Sequence, residues 1–160
     1  MEIKTINLNV TLPADGIGMV FMQPFIELNT GREPFIWQDD KKEHQIDRIK
    51  RTLQISKSAP HGKTKTHFTI FPEYSIPGLS GIQAVQTMIE NAEWQNGTFI
   101  LAGIDGLTKA NFLEMCRQYG FDNVADLIPN HQWVNCYVGW AKEDDGNIKT
   151  WVQPKLVWCP

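Results

Sequence analysis

Several absences narrow the chemistry open to this 160-residue sequence before any motif is considered. There is no surplus of positive charge: 15 Lys and Arg stand against 18 Asp and Glu, a net charge of -3. Phosphate backbones and anionic membrane surfaces are held by clustered cations, so neither a nucleic acid nor a membrane is an expected partner. No apolar stretch approaches the roughly 20 residues that span a bilayer. The opening Met1-Glu2-Ile3-Lys4 lacks the basic segment and apolar run of a secretory signal. Cysteines are few and odd in number, Cys116, Cys136 and Cys159. Disulfides persist mainly in oxidising compartments, so the expectation is a soluble, cytoplasmic protein with reduced thiols. His44, His61, His67 and His131 are scattered, without the spacing of a zinc site, and no metal is expected.

What is present is a hydrophobic content of 42%, enough for one core in a chain too short for two. Residues 1–17 alternate weakly and end in Leu12-Pro13-Ala14-Asp15-Gly16, which predicts an N-terminal arm or extra strand. The apolar run Gly18 to Gln23, closed by Pro24, predicts a central strand buried on both faces. Over Asp39 to Ser58, Ile46, Ile49 and Leu53 recur at helical spacing. Acidic Asp39 and Asp40 stand at the front and basic Lys50, Arg51 and Lys57 behind, the polarity that suits a helix dipole.

Phe68-Thr69-Ile70-Phe71 predicts a strand ended by Pro72. Ser80 and Gln83 have capping-box spacing and predict a helix start, with Ile82, Val85, Met88 and Ile89 as its apolar stripe. Thr98 to Ala102 predicts the next strand. Thr108 can cap a third helix whose buried face is Phe112, Met115, Cys116 and Tyr119. Trp133 to Ala141 and Ile148 to Leu156, joined by the turn Glu143 to Asn147, predict a β-hairpin. Strands alternating with helices define the fold class as α/β.

Within Phe71-Pro72-Glu73-Tyr74-Ser75-Ile76-Pro77, a carboxylate directly follows a buried strand and lies between two prolines. Ligands of α/β sheets gather beyond the carboxyl ends of strands, so a rigidly held acid there is placed for proton transfer. A Glu at such a point also serves to cap the following loop, and the motif alone leaves the two readings open. Lys155 has the ordinary reading of a surface lysine in a hairpin, as Lys149 does.

The order of these pieces resembles the nitrilase, or carbon–nitrogen hydrolase, superfamily. It runs from a strand ending in Gln23 through a charged helix, Phe-Pro-Glu, a helix, Phe99-Ile100-Leu101-Ala102-Gly103, Trp133-Val134-Asn135-Cys136 and Asp145-Gly146-Asn147-Ile148 to Pro154-Lys155-Leu156. The resemblance covers about residues 18–160 and implies the N-terminal part of an α-β-β-α sandwich. The stretch around 106–132 would then be a helical insertion. It also implies a Glu-Lys-Cys mechanism with Glu73 as base and Lys155 as cation, acting without cofactor on a small amide or nitrile. In that family the nucleophilic Cys lies well downstream of the Lys, whereas only Leu156 to Pro160 follow Lys155 here. The expectations are therefore a domain cut short of its nucleophile, inactive as these 160 residues alone, and contact with further chain or a second copy.

The other class to weigh is a catalytically inactive nitrilase-fold binding or assembly module. A third possibility pairs Cys159 with His61 or His67. Cys116 and Cys136 lie on the apolar stripes of their own elements and are expected as buried, inert thiols.

Overall fold

The computed structural model describes residues 5–29, 31, 35–58, 65–119, 128 and 132–155. Its centre is a five-stranded mixed sheet. Strand β1 (Gly18–Phe21) lies at one edge, followed by β4 (Thr66–Ile76), β5 (Thr98–Ile104), β8 (Cys136–Lys142) and β9 (Ile148–Pro154). The β1/β4 and β4/β5 pairs are parallel, and β5/β8 and β8/β9 antiparallel. Two-stranded pairs join β2 (Leu28–Asn29) to β3 (Ile36–Trp37) and β6 (Leu107–Thr108) to β7 (Trp133–Val134).

Parallel neighbours are joined by helices α1 (Asp39–Ser58) and α2 (Gly78–Glu90). Such crossovers are right-handed, so a strand order that advances in one direction puts both helices on one face. Accordingly α1 packs against α2 and β4. In α1, Ile49 and Leu53 are buried together with Gln45 and Ser56. In α2 the buried stripe is Ile82, Val85 and Ile89. Helix α3 (Lys109–Gln118) adds Phe112, Met115 and Cys116 to the same core. Across the sheet these meet Phe71, Ile100, Ala102, Val138 and Trp140. Each fully buried large side chain contributes on the order of 2 kcal/mol, and this one layer therefore carries the hydrophobic stabilisation.

The opposite face is apolar too. Register places Phe21, Ile70, Leu101, Gly139 and Trp151 in one row across the strands, and Met19, Phe68, Phe99 and Ala141 in the next. None of the larger side chains in these rows belongs to the helix-side core. Phe68 and Phe99 stack with ring centroids 4.8 Å apart. The Trp151 ring lies so flat over Gly139 that an added Cβ there would sit 2.2 Å from it.

Several sequence expectations are corrected. Gly18 to Phe21 is an edge strand among the described residues, not a central one, and Met19 and Phe21 remain 49% and 67% exposed. Pro72 does not end its strand, because β4 runs on to Ile76 across a register break that needs no N–H from the proline. Helix α2 begins at Gly78 rather than Ser80, whose hydroxyl instead donates to the Pro77 carbonyl at 3.2 Å. The helix N-terminus is served by Asp105, which accepts from the Gly78 N–H at 2.6 Å.

The hairpin is β8 with β9, while Trp133 and Val134 pair with β6 instead; Leu156 lies outside the described residues. Thr108 does cap α3, accepting from the Asn111 N–H at 3.2 Å. Residues 5–17 form no regular element. They lie as an arm against the hairpin turn, through Thr11 N–H to Asp144 at 2.8 Å and Lys149 to the Asn7 carbonyl at 2.9 Å. No described helix is long and apolar enough to cross a membrane.

Candidate active site

Glu73 owes its position to the irregularity in β4. From Phe71 to Ile76, β4 passes five residues while β5 advances only from Ala102 to Ile104, so the segment containing Pro72 to Ser75 bulges at the carboxyl end of the parallel strands. The bulge presses so closely on β5 that a Cβ on Gly103 would lie 2.5 Å from Glu73 Cα and 2.7 Å from the Pro72 carbonyl oxygen. Only glycine admits that approach. Next to Glu73, Tyr74 has φ 61°, in the left-handed region that non-glycine residues rarely occupy.

Lys155 directly follows β9, and its backbone N–H donates to the Asn135 carbonyl at 2.8 Å. Its ammonium donates to Glu73 Oε1 at 2.9 Å, joining residues 82 apart in sequence. The structure thus brings the two sequence-selected residues together. Their side chains are 38% and 35% exposed, so the pair is open enough for a ligand to reach. Beside it is a cleft of about 300 Å³, lined by Glu73, Asn135, Cys136, Tyr137, Gln153, Pro154 and Lys155. Tyr137 faces Gln153 across the strands. Burial and the nearby Glu73 carboxylate push the Tyr137 phenol upward, while Lys155 opposes them.

A set of buried groups holds the bulge from behind. The Trp37 indole N–H donates to the Tyr74 carbonyl at 2.7 Å, and the Trp37 backbone N–H donates to Asp105 Oδ2 at 3.0 Å. The Asp105 N–H donates to the Ile76 carbonyl at 3.0 Å. Burial pushes the Asp105 carboxyl up to about 6, against the pull of the Trp37 and Gly78 N–H groups and Lys42. Gln45 donates to the Ser75 carbonyl at 2.7 Å. Tyr74, Asn135, Trp37 and Asp105 were not selected from the sequence. The positive φ at Tyr74 depends on tertiary packing, and no short motif announces it.

The thiols divide differently. Cys136 is 2% exposed and pairs in register with Pro154, one step along β8 from Tyr137. Alternation turns its side chain away from the face carrying Tyr137 and toward the helix layer. Burial is the main cause that pushes its thiol well above the ordinary range, with Cys116 and Asp105 nearby adding to it. Cys116 is 3% exposed on α3. Neither therefore offers a thiolate to the cleft. Cys159, His61 and His131 lie outside the described residues. His67 is at the amino end of β4, the end remote from Glu73, where its Nδ1 accepts from the Gly18 N–H at 3.0 Å. Lys149 bridges to Glu143 at 3.2 Å and binds the N-terminal arm, which sets it apart from the cleft. Among the described residues no cluster of three metal-binding side chains occurs.

A scan of protein-family models gives no match to this chain, and searches of curated proteins and of solved structures give none.

Proposed function

We propose that Glu73 and Lys155 are two members of a Glu-Lys-Cys apparatus in a carbon–nitrogen hydrolase of the nitrilase type, acting on a small amide or nitrile. The observation that carries this reading is the 2.9 Å contact between Glu73 and Lys155 at the carboxyl end of parallel strands, beside an open cleft. A carboxylate there can take the proton of an incoming thiol. The ammonium, adjacent and already oriented, can stabilise the oxyanion that forms when the thiolate attacks a carbonyl carbon. The carboxylic acid returns that proton to the amide nitrogen, ammonia or an amine leaves as the intermediate collapses to a thioester, and water hydrolyses the thioester with the same carboxylate as base. The reading places the nucleophilic thiol outside the described residues, since Cys116 and Cys136 are turned into the core.

The apolar face of the sheet supports the finer architecture, the N-terminal part of an α-β-β-α sandwich. In such a sandwich the second sheet packs about 10 Å away through side chains of this kind. The alternative is a nitrilase-fold binding or assembly module without catalysis, and it is favoured by the direction in which both described cysteines point.

Hydrolysis assays separate the two. The 160-residue chain alone is expected to release no ammonia from simple amides or nitriles. In the protein carrying whatever native sequence follows residue 160, Glu73→Gln and Lys155→Met are each expected to lower kcat/KM by about 10²–10³-fold. Full activity in either variant, or a well-folded protein inert towards a broad panel of amides and nitriles, would remove the catalytic reading. Steady hydrolysis by the 160-residue chain, abolished in Glu73→Ala, would show that the nucleophile is already present in it.

A further inference from the structure

We propose that Tyr74 is the positioning residue that fixes the Glu73–Lys155 separation, by latching the β4 bulge to the end of the β8–β9 hairpin through Asn135. Glu73 and Lys155 belong to distant parts of the chain, and a contact between two long, partly exposed side chains does little to hold itself in one geometry. Something else must fix the distance between their backbones. The chain from one to the other is short. The Asn135 side-chain amide donates to the Tyr74 phenol oxygen at 2.7 Å. The Asn135 carbonyl accepts from the Lys155 N–H at 2.8 Å.

Two features place Tyr74 for this task. At φ 61° its backbone departs from strand geometry, so Glu73 and Tyr74 are not bound to the simple up-and-down alternation of β4. That conformation is unfavourable for a residue with a Cβ and persists where the surroundings enforce it. Here the Trp37 indole grips the Tyr74 carbonyl from one side at 2.7 Å, and Asn135 holds the phenol from the other. The inference takes Glu73 and Lys155 as a working pair, as the functional proposal does, but it concerns their geometry and is tested without turnover.

Carbodiimide coupling is the test. The reagent activates a carboxylate, and an amine in contact displaces it to form an amide with loss of one water, so the yield of the Glu73–Lys155 linked peptides reports how often the groups meet. In the 160-residue chain the unmutated protein is expected to form this link. Tyr74→Phe and Asn135→Ala should each lower the yield about fivefold, the population change that follows from losing one ordinary hydrogen bond. The double variant should be no worse than either single one, because both break the same latch. Trp94→Phe, which removes the indole donor to Thr98 at the amino end of β5, the end of the sheet away from Glu73 and Asn135, should leave the yield unchanged although it destabilises the protein. That control separates positioning from general loosening.

Yields within about twofold of the unmutated protein in both single variants would overturn the proposal, a separation small enough to fall below one hydrogen bond. An additive loss in the double variant would do the same. Absence of the link in the unmutated chain would overturn the proposal and the Glu73–Lys155 site together. A Tyr74-dependent link, together with no amide or nitrile hydrolysis by the protein carrying whatever native sequence follows residue 160, would retire the hydrolase reading alone.

Discussion

Two residues at the site have roles that composition cannot convey. Gly103 is required because the bulge of β4 passes against it. The atoms an alanine Cβ would strike are backbone atoms of Pro72 and Glu73, which cannot swing aside. Gly103→Ala is expected to destabilise the fold by about 2–3 kcal/mol, in the upper part of the range for overpacking. Urea unfolding measures this, and a loss within experimental error would show that the close approach is not obligatory. Asp105 is the second. Its carboxyl, 2% exposed, is pushed up to about 6 from an unfolded value near 3.8. Between those values the folded state binds the proton and the unfolded state does not, so stability falls as pH rises from about 4 to about 6. The effect is on the order of 3 kcal/mol for this group alone. The unfolding free energy of the native protein relative to Asp105→Asn should therefore decline across that interval. A flat difference would mean that Asp105 is ionised throughout.

At the scale of elements, periodicity decides which side chains are sealed. Cys116 lies on the buried stripe of α3 and Cys136 on the helix-facing side of β8. Both are expected to react with a bulky thiol reagent only on unfolding, since apolar burial disfavours the thiolate and blocks access. Mass spectrometry after brief labelling of the folded protein checks this, and rapid modification of either would place it outside the core. The helices themselves were legible because α1 and α2 show regular apolar spacing and α1 has opposite charges at its ends. The start of α2 was not legible. Asp105, 27 residues away, does the work that a local Ser80 cap was expected to do.

For the whole molecule, the consequence of right-handed crossovers advancing one way is that, among the described residues, helices cover one face of the sheet. The other face presents two rows of aromatic and aliphatic side chains, and apolar area of this kind on a protein surface marks contact with another layer. The 160-residue chain is therefore expected to self-associate in dilute buffer. A monomeric, non-aggregating species by light scattering would show that these rows tolerate water and would weaken the sandwich architecture. The cleft opens at the end of the sheet where Tyr137 and Gln153 stand.

The sequence by itself determined the α/β class, the three helices apart from the start of α2, and the segments of β1, β5, β8 and β9, while Glu73 and Lys155 were singled out by the resemblance in motif order. The elements follow from local regularities: apolar period, turn residues and charge at helix ends. Only the tertiary structure decided that β1 is an edge among the described residues, that β4 continues past Pro72 through a bulge, and that Trp133 and Val134 leave the hairpin for β6. Each of these depends on which strand lies alongside, a relation between residues remote in sequence. The same holds for the site. Residues 73 and 155 could be named separately, but their 2.9 Å contact, and the Tyr74, Asn135, Trp37 and Asp105 groups around it, exist only where β4, β5 and β9 end and β8 begins.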